Sequence, residues 1–243
     1  MAVQLQDGAP VFDAARCIGC AHCAAYCPQN AFGMERAASS PCGPETLDGL
    51  LRMRRSTRVF SERAPSADTL RKLCRAVVPY SPTGTNSCGL DVRLVGRPLL
   101  DRMVRTARRP ARILDALHLL RPLAAVAGMD RAAARFASGE DLVFRGAPAA
   151  AFVFARRGSA TGREDGVIAA TLLSLRARTM GLGTLWNGVA VWLYRLLPGW
   201  RLPRARGRRL TAVLCIGYPA RLPLWEVPPR PWELGEHGMA PKD

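Results

Sequence analysis

Apolar positions along this 243-residue chain fall into two periods, and each period marks a different element. Leu47, Leu50 and Leu51 lie at helical spacing just after Pro44, which suits a helix start. Leu70, Leu73, Cys74 and Val77 share one face of a second helix that Ser66 or Asp68 can cap. The span from Asp165 to Met180 carries the clearest amphipathic pattern, with Ile168, Leu172, Leu175 and Thr179 on one face and Gly181 as its stop. Residues 98–138 are rich in Arg, Ala and Leu and read as mostly helical, with breaks near Pro110, Pro122 and Gly128. Continuous apolar runs at Ala149–Ala155 and Leu210–Ile216 read as buried strands. Asp91–Val95 and Pro10–Phe12 are shorter strand candidates, and Pro79–Gly89 is a loop. Helices outnumber strands and separate them, so the larger part of the chain is α/β or α+β. The six prolines from Pro219 onward predict an extended tail laid over a surface.

Composition narrows the class. With 49% hydrophobic and 22% charged residues, general disorder is excluded. No run approaches the ~18 apolar residues of a membrane span, since Arg121 and Pro122 interrupt the richest stretch, Leu117–Gly128. The N-terminus has neither the basic nor the apolar region of a secretory signal, so a cytoplasmic protein is expected. The net charge of +16 asks for an anionic partner. Apart from Lys72 and Lys242 the cations are arginines, spread along the chain without a recognition motif, and this disfavours nucleic acid.

The cysteines change the picture more. Cys17, Cys20, Cys23 and Cys27, followed by Pro28, form the C-x₂-C-x₂-C-x₃-C-P run of bacterial ferredoxins. Thiolates at that spacing can wrap the corners of a 4Fe-4S cubane; Gly19 allows close backbone approach, and Pro28 turns the chain away. Zinc sites use two separated pairs instead. His22 reads as a loop residue. In two-cluster ferredoxins the fourth cysteine of each run serves the other cluster, yet only one run is present here. Either Cys27 closes a local site or Cys42 supplies the fourth ligand. The segment before Cys17 resembles the connector that precedes a second run. The expectation is therefore that the start is assigned too late, with about eight irons in the native protein, or that the first run was lost, leaving about four. Cys74 and Cys215 lie on apolar patterns and are expected in the core, while Cys88 is expected to pack rather than react.

Further along, Arg54-Arg55-Ser56-Thr57-Arg58 offers guanidinium forks and a hydroxyl to a phosphate. It is followed by Ser81–Ser87, Asp141–Pro148, Gly181–Gly188 and Ile216–Pro219. In that order these segments resemble the nitroreductase family of FMN-dependent oxidoreductases over about residues 45–221. With the cysteine run, the whole resembles a ferredoxin–nitroreductase fusion. The implied fold is α+β: a nitroreductase-like FMN-binding α/β sandwich with a small N-terminal ferredoxin-like iron–sulfur segment. The implied organisation is a cluster segment at 1–36, a linker at 37–44 and an FMN domain at 45–243, with a helical lid at about 98–138. By resemblance, Arg54, Arg55, Ser56 and Arg58 bind the FMN phosphate and ribityl oxygens. Asn86 meets the isoalloxazine edge, the backbone at Gly183 and Thr184 lies in the loop that approaches the flavin, and Arg221 reaches the phosphate. Where the family commonly carries Gln-Pro this chain has Cys88-Gly89, which exchanges an amide for a thiol.

The resemblance implies electron transfer between the cluster and FMN, with reduction of a nitro, quinone or similar small-molecule acceptor. The donor is NAD(P)H or an acidic ferredoxin or flavodoxin, and FMN lies at a homodimer interface embraced by the tail. No general acid or base stands out, and the chemistry belongs to the flavin. The alternative is an iron–sulfur redox sensor or electron carrier whose arginines hold nucleic acid or an acidic protein.

Overall fold

The structure is a computed structural model that describes residues 2–7, 9–33, 43–125, 130–203, 205 and 207–223. Strands β1 (Val3–Gln6) and β2 (Ala9–Phe12) pair antiparallel, with Val3 opposite Phe12. The cysteine run follows, and the four-residue helix α1 (His22–Ala25) holds Cys23. Helix α2 (Pro44–Met53) starts at the expected proline, and α3 (Ala67–Arg75) is capped by Ser66, whose hydroxyl accepts from the Thr69 amide at 3.0 Å. Cys42, the linker at 37–42 and the tail beyond Pro223 lie outside the described residues.

Four strands build the centre. β3 (Leu90–Gly96), β4 (Ala149–Arg156), β5 (Gly183–Trp186) and β6 (Arg208–Gly217) form an antiparallel sheet in the order β3-β4-β6-β5. The fold is α+β, as expected. Ala150, Phe152, Phe154, Val213 and Cys215 enter one core cluster, whereas Ala149, Ala151, Val153, Ala212, Leu214 and Ile216 enter the other. With both faces covered, these strands read as continuous apolar runs although they are antiparallel.

The first cluster is closed by α4 (Arg97–Ala116), by α8 (Gly188–Leu196) and by Trp200, whose indole N–H donates to the Met103 carbonyl at 2.9 Å. α4 runs unbroken through Pro110, contrary to expectation. Leu100, Met103, Val104 and Ala107 anchor it before the proline. Around the proline, Arg108 and Arg112 donate to the Phe136 and Ala137 carbonyls at 3.1 and 3.2 Å, near the end of α6 (Asp130–Ser138). Tertiary contacts on both sides outweigh the one missing helical hydrogen bond. Pro122 sits inside α5 (Leu120–Ala125), in its first turn, where no amide is needed. His118, with φ 58°, is exposed in the turn between α4 and α5.

The second cluster is closed by α3 and by α7 (Gly162–Thr179), and here the expected face is reversed. Gly162, Gly166, Ala169, Ala170 and Ala177 point to the sheet, while Ile168 remains 39% exposed. A Cβ on Gly166 would sit 2.1 Å from Thr211 Oγ1. At Gly162 and Gly166 the helix lies too close to the sheet for a side chain, and further along Leu173, not Leu172 or Leu175, is the leucine buried against it. Sequence reading also missed β1 and α8, and it took β5 for a loop. No described helix is long and apolar enough to cross a membrane.

Candidate functional site

The segment after α2 is held between two parts of the sheet. Arg54 closes α2, its amide donating to the Leu50 carbonyl at 3.0 Å. The chain then runs along the outer edge of β5, where Ser56 bridges Thr184 in parallel and the Thr57 amide donates to the Thr184 carbonyl at 2.9 Å. A Cβ on Gly183 would fall 2.2 Å from Thr57 Oγ1, so this approach requires glycine. Further on, the Ser61 amide donates to the Tyr218 carbonyl at 2.8 Å and the Ala220 amide to Val59 at 3.1 Å. Those bonds carry the chain beyond β6 back over the same segment and bring Arg221 to it.

A cavity of about 660 Å³ results. Arg54, Arg55, Ser56, Arg58, Gly183, Thr184 and Arg221 all line it, although they are spread over much of the chain. Ser174 and Arg178 of α7 join them, and among the described residues no acidic side chain does. Ser174 Oγ and Thr184 Oγ1 are 2.7 Å apart in a buried hydrogen bond. Sequence reading missed Ser174 and Arg178; their i, i+4 spacing in α7, eight and four residues before Leu182, is the signal that could have found them. Arg54, Arg58, Arg178 and Arg221 have no ion pair among the described residues. Guanidinium groups gathered without counter-charge repel one another, and an anion with several acceptor oxygens relieves that repulsion through bidentate hydrogen bonds. A phosphate fits this donor set.

Asn86 does not line the cavity. It lies in the loop after α3 with φ 53°, and its amide donates to the Ile18 carbonyl at 3.1 Å, inside the cysteine run. The loop itself is tied to α7 by Asp165, buried, whose carboxylate accepts from the Gly84 amide at 3.0 Å. Cys88, two residues on, is exposed with φ 46° and does not pack as expected. The left-handed backbone of the loop turns its side chain outward.

Cys17, Cys20 and Cys23 are exposed, Cys27 is half-buried, and none is in a disulfide. Gly19, φ 64°, and Ala21, φ 55°, bend the loop. The Gly19 amide donates to Cys17 Sγ and the Ala31 amide to Cys27 Sγ, both at 3.4 Å. Among the described residues no three His, Cys, Asp or Glu side chains are placed to hold a single metal ion. A cubane makes a different demand, because each thiolate holds its own iron. Unbridged thiols on one short loop, two of them already accepting amide hydrogens, suit that group. Burial pushes the thiols of Cys74 and Cys215 up, from 9.0 to about 11 and about 12, so both stay protonated.

The model of the nitroreductase family matches residues 51–218, and that described as a 4Fe-4S binding domain matches residues 10–32. The chain belongs to the nitroreductase family. Among solved structures, a nitroreductase with bound FMN from Bacteroides fragilis is similar at TM-score 0.57 and 16% identity, covering 80% of this chain and 98% of that one. One from Desulfitobacterium hafniense, also with FMN, gives 0.57 and 21%, with coverages of 77% and 96%. An FMN-dependent nitroreductase from Mycobacterium smegmatis, in complex with NADPH, gives 0.55 and 19%, with 74% and 93%. At these identities the likeness is one of fold. No curated protein matches the sequence.

Proposed function

We propose that this chain is an FMN-dependent oxidoreductase that couples a 4Fe-4S cluster to flavin and reduces a nitro, quinone or similarly conjugated small molecule. One observation carries the reading: seven residues chosen for FMN from sequence line a single arginine-rich cavity. When bound, FMN supplies hydride and single-electron chemistry and the cluster supplies single electrons. Arg54, Arg58 and Arg221 hold the phosphate, Ser56 adds a hydroxyl, and the β5 backbone at Gly183 and Thr184 fixes the wall behind it. Cys17, Cys20, Cys23 and Cys27 hold the cluster. Reductant comes from NAD(P)H or from an acidic carrier protein, which the charge of +16 would attract.

The working unit is a homodimer. Its support is the exposed apolar surface on two touching helices, with Leu47 and Leu51 of α2 at 47% and 52% exposure and Ile168 of α7 at 39%. Asn86 stands outside its own chain's cavity, and in this reading any contact it makes with flavin is made across the dimer.

Anaerobic purification with quantitation of FMN, iron and sulfide per chain tests the cofactors. One FMN per chain is expected, and Arg54→Ala with Arg58→Ala should release it, since each charge-assisted contact is worth ~1.5–3 kcal/mol. Unchanged FMN affinity in that double variant would overturn the phosphate assignment.

A further inference from the structure

A second cavity, of about 240 Å³, opens where β5 stops. β5 covers β6 only from Leu214 to Gly217, so beyond the Asn187 amide, which donates to the Val213 carbonyl at 2.9 Å, the edge of β6 faces the cavity. Arg163, Arg195 and Arg209 surround the opening, Trp186 forms one wall, and among the described residues no acidic side chain lines it. It lies at the opposite end of α7 from the first cavity: Arg163 and Arg178 are separated by about 22 Å of helix at 1.5 Å per residue. One small anion cannot occupy both.

None of the three arginines has an ion pair among the described residues. Arg163 stands in the first turn of α7 beside Glu164 and Asp165, neither of which lines the cavity. Gly188 brings the N-terminus of α8 to the same opening, adding more positive potential. The one buried amide there, Asn187, is already spent on the Ala190 amide, the Val143 carbonyl and Cys215 Sγ. What remains for a ligand is guanidinium and an indole that is 38% exposed, beside apolar Val191, Leu210 and Ala212. The volume is below the ~300–1,000 Å³ of drug-sized sites, which limits the occupant to about one ring. A guanidinium fork matches a carboxylate, and a flat ring matches the indole face.

We propose that this cavity binds a small aromatic carboxylate.

Calorimetric titration of the cofactor-loaded protein with benzoate and with its uncharged counterpart benzamide tests the binding. Benzoate should bind at least tenfold more tightly. Arg163→Ala with Arg209→Ala should remove that difference while FMN content and melting temperature stay unchanged. Equal binding of the two probes, or full benzoate affinity in the double variant, overturns the site.

Discussion

Gly183 shows how one atom can govern the candidate site. Its missing Cβ admits Thr57, and the Thr57–Thr184 hydrogen bond at 2.9 Å sets the path of the arginines on either side. Gly183→Ala should cost about 1–3 kcal/mol by overpacking and weaken FMN binding as well. Gly188→Ala, which meets nothing within 4 Å, should do neither. Denaturant unfolding and flavin titration of the two variants check this contrast. The buried thiols make a second prediction. Because Cys74 and Cys215 are raised from 9.0 to about 11 and about 12, the native state keeps protons that the unfolded chain releases. Their stabilisation is complete below pH 9 and is lost as pH rises through 11 to 12. Replacing Cys215 with Ala should flatten the decline in stability over that range.

At the scale of elements, α4 and α7 show how packing overrides local preference. Pro110 removes one hydrogen bond from the middle of α4, and the arginines flanking it hold the helix to α6. Pro110→Ala restores the missing amide and should raise stability by about 1–3 kcal/mol, measured by the shift in denaturant midpoint. Helices α3 and α2 were legible because their signals are local: a cap at Ser66, a proline at Pro44, and leucines at helical spacing. The inward face of α7 was not legible. Ile168, Leu172 and Leu175 carry the larger apolar surface, but the face that meets the sheet is Gly162, Gly166, Ala169, Ala170 and Leu173, with glycine required where the approach is closest. Hydrophobicity ranks faces by size, whereas close packing here selected by smallness.

For the whole molecule, the homodimer proposed above predicts that the leucines and isoleucine left exposed by α2 and α7 lie at its interface. Leu51→Glu with Ile168→Glu should convert a dimer to a monomer in light scattering while the fold by circular dichroism persists; an unchanged mass would place the interface elsewhere. Short-range patterns in the sequence by themselves determined the cysteine run, the helix caps, the two buried strands and the Arg54–Arg58 basic motif, because each signal lies within about a dozen residues. The site's enclosure was decided by tertiary structure. Bonds from Thr184, Tyr218 and Val59 join segments well over a hundred residues apart, bring Arg178 and Arg221 to the motif, and leave Asn86 beside Ile18 instead. Those contacts depend on how surfaces fit across the sheet edge, where Gly183 must meet Thr57 and Gly166 must meet Thr211, and no local period records that fit.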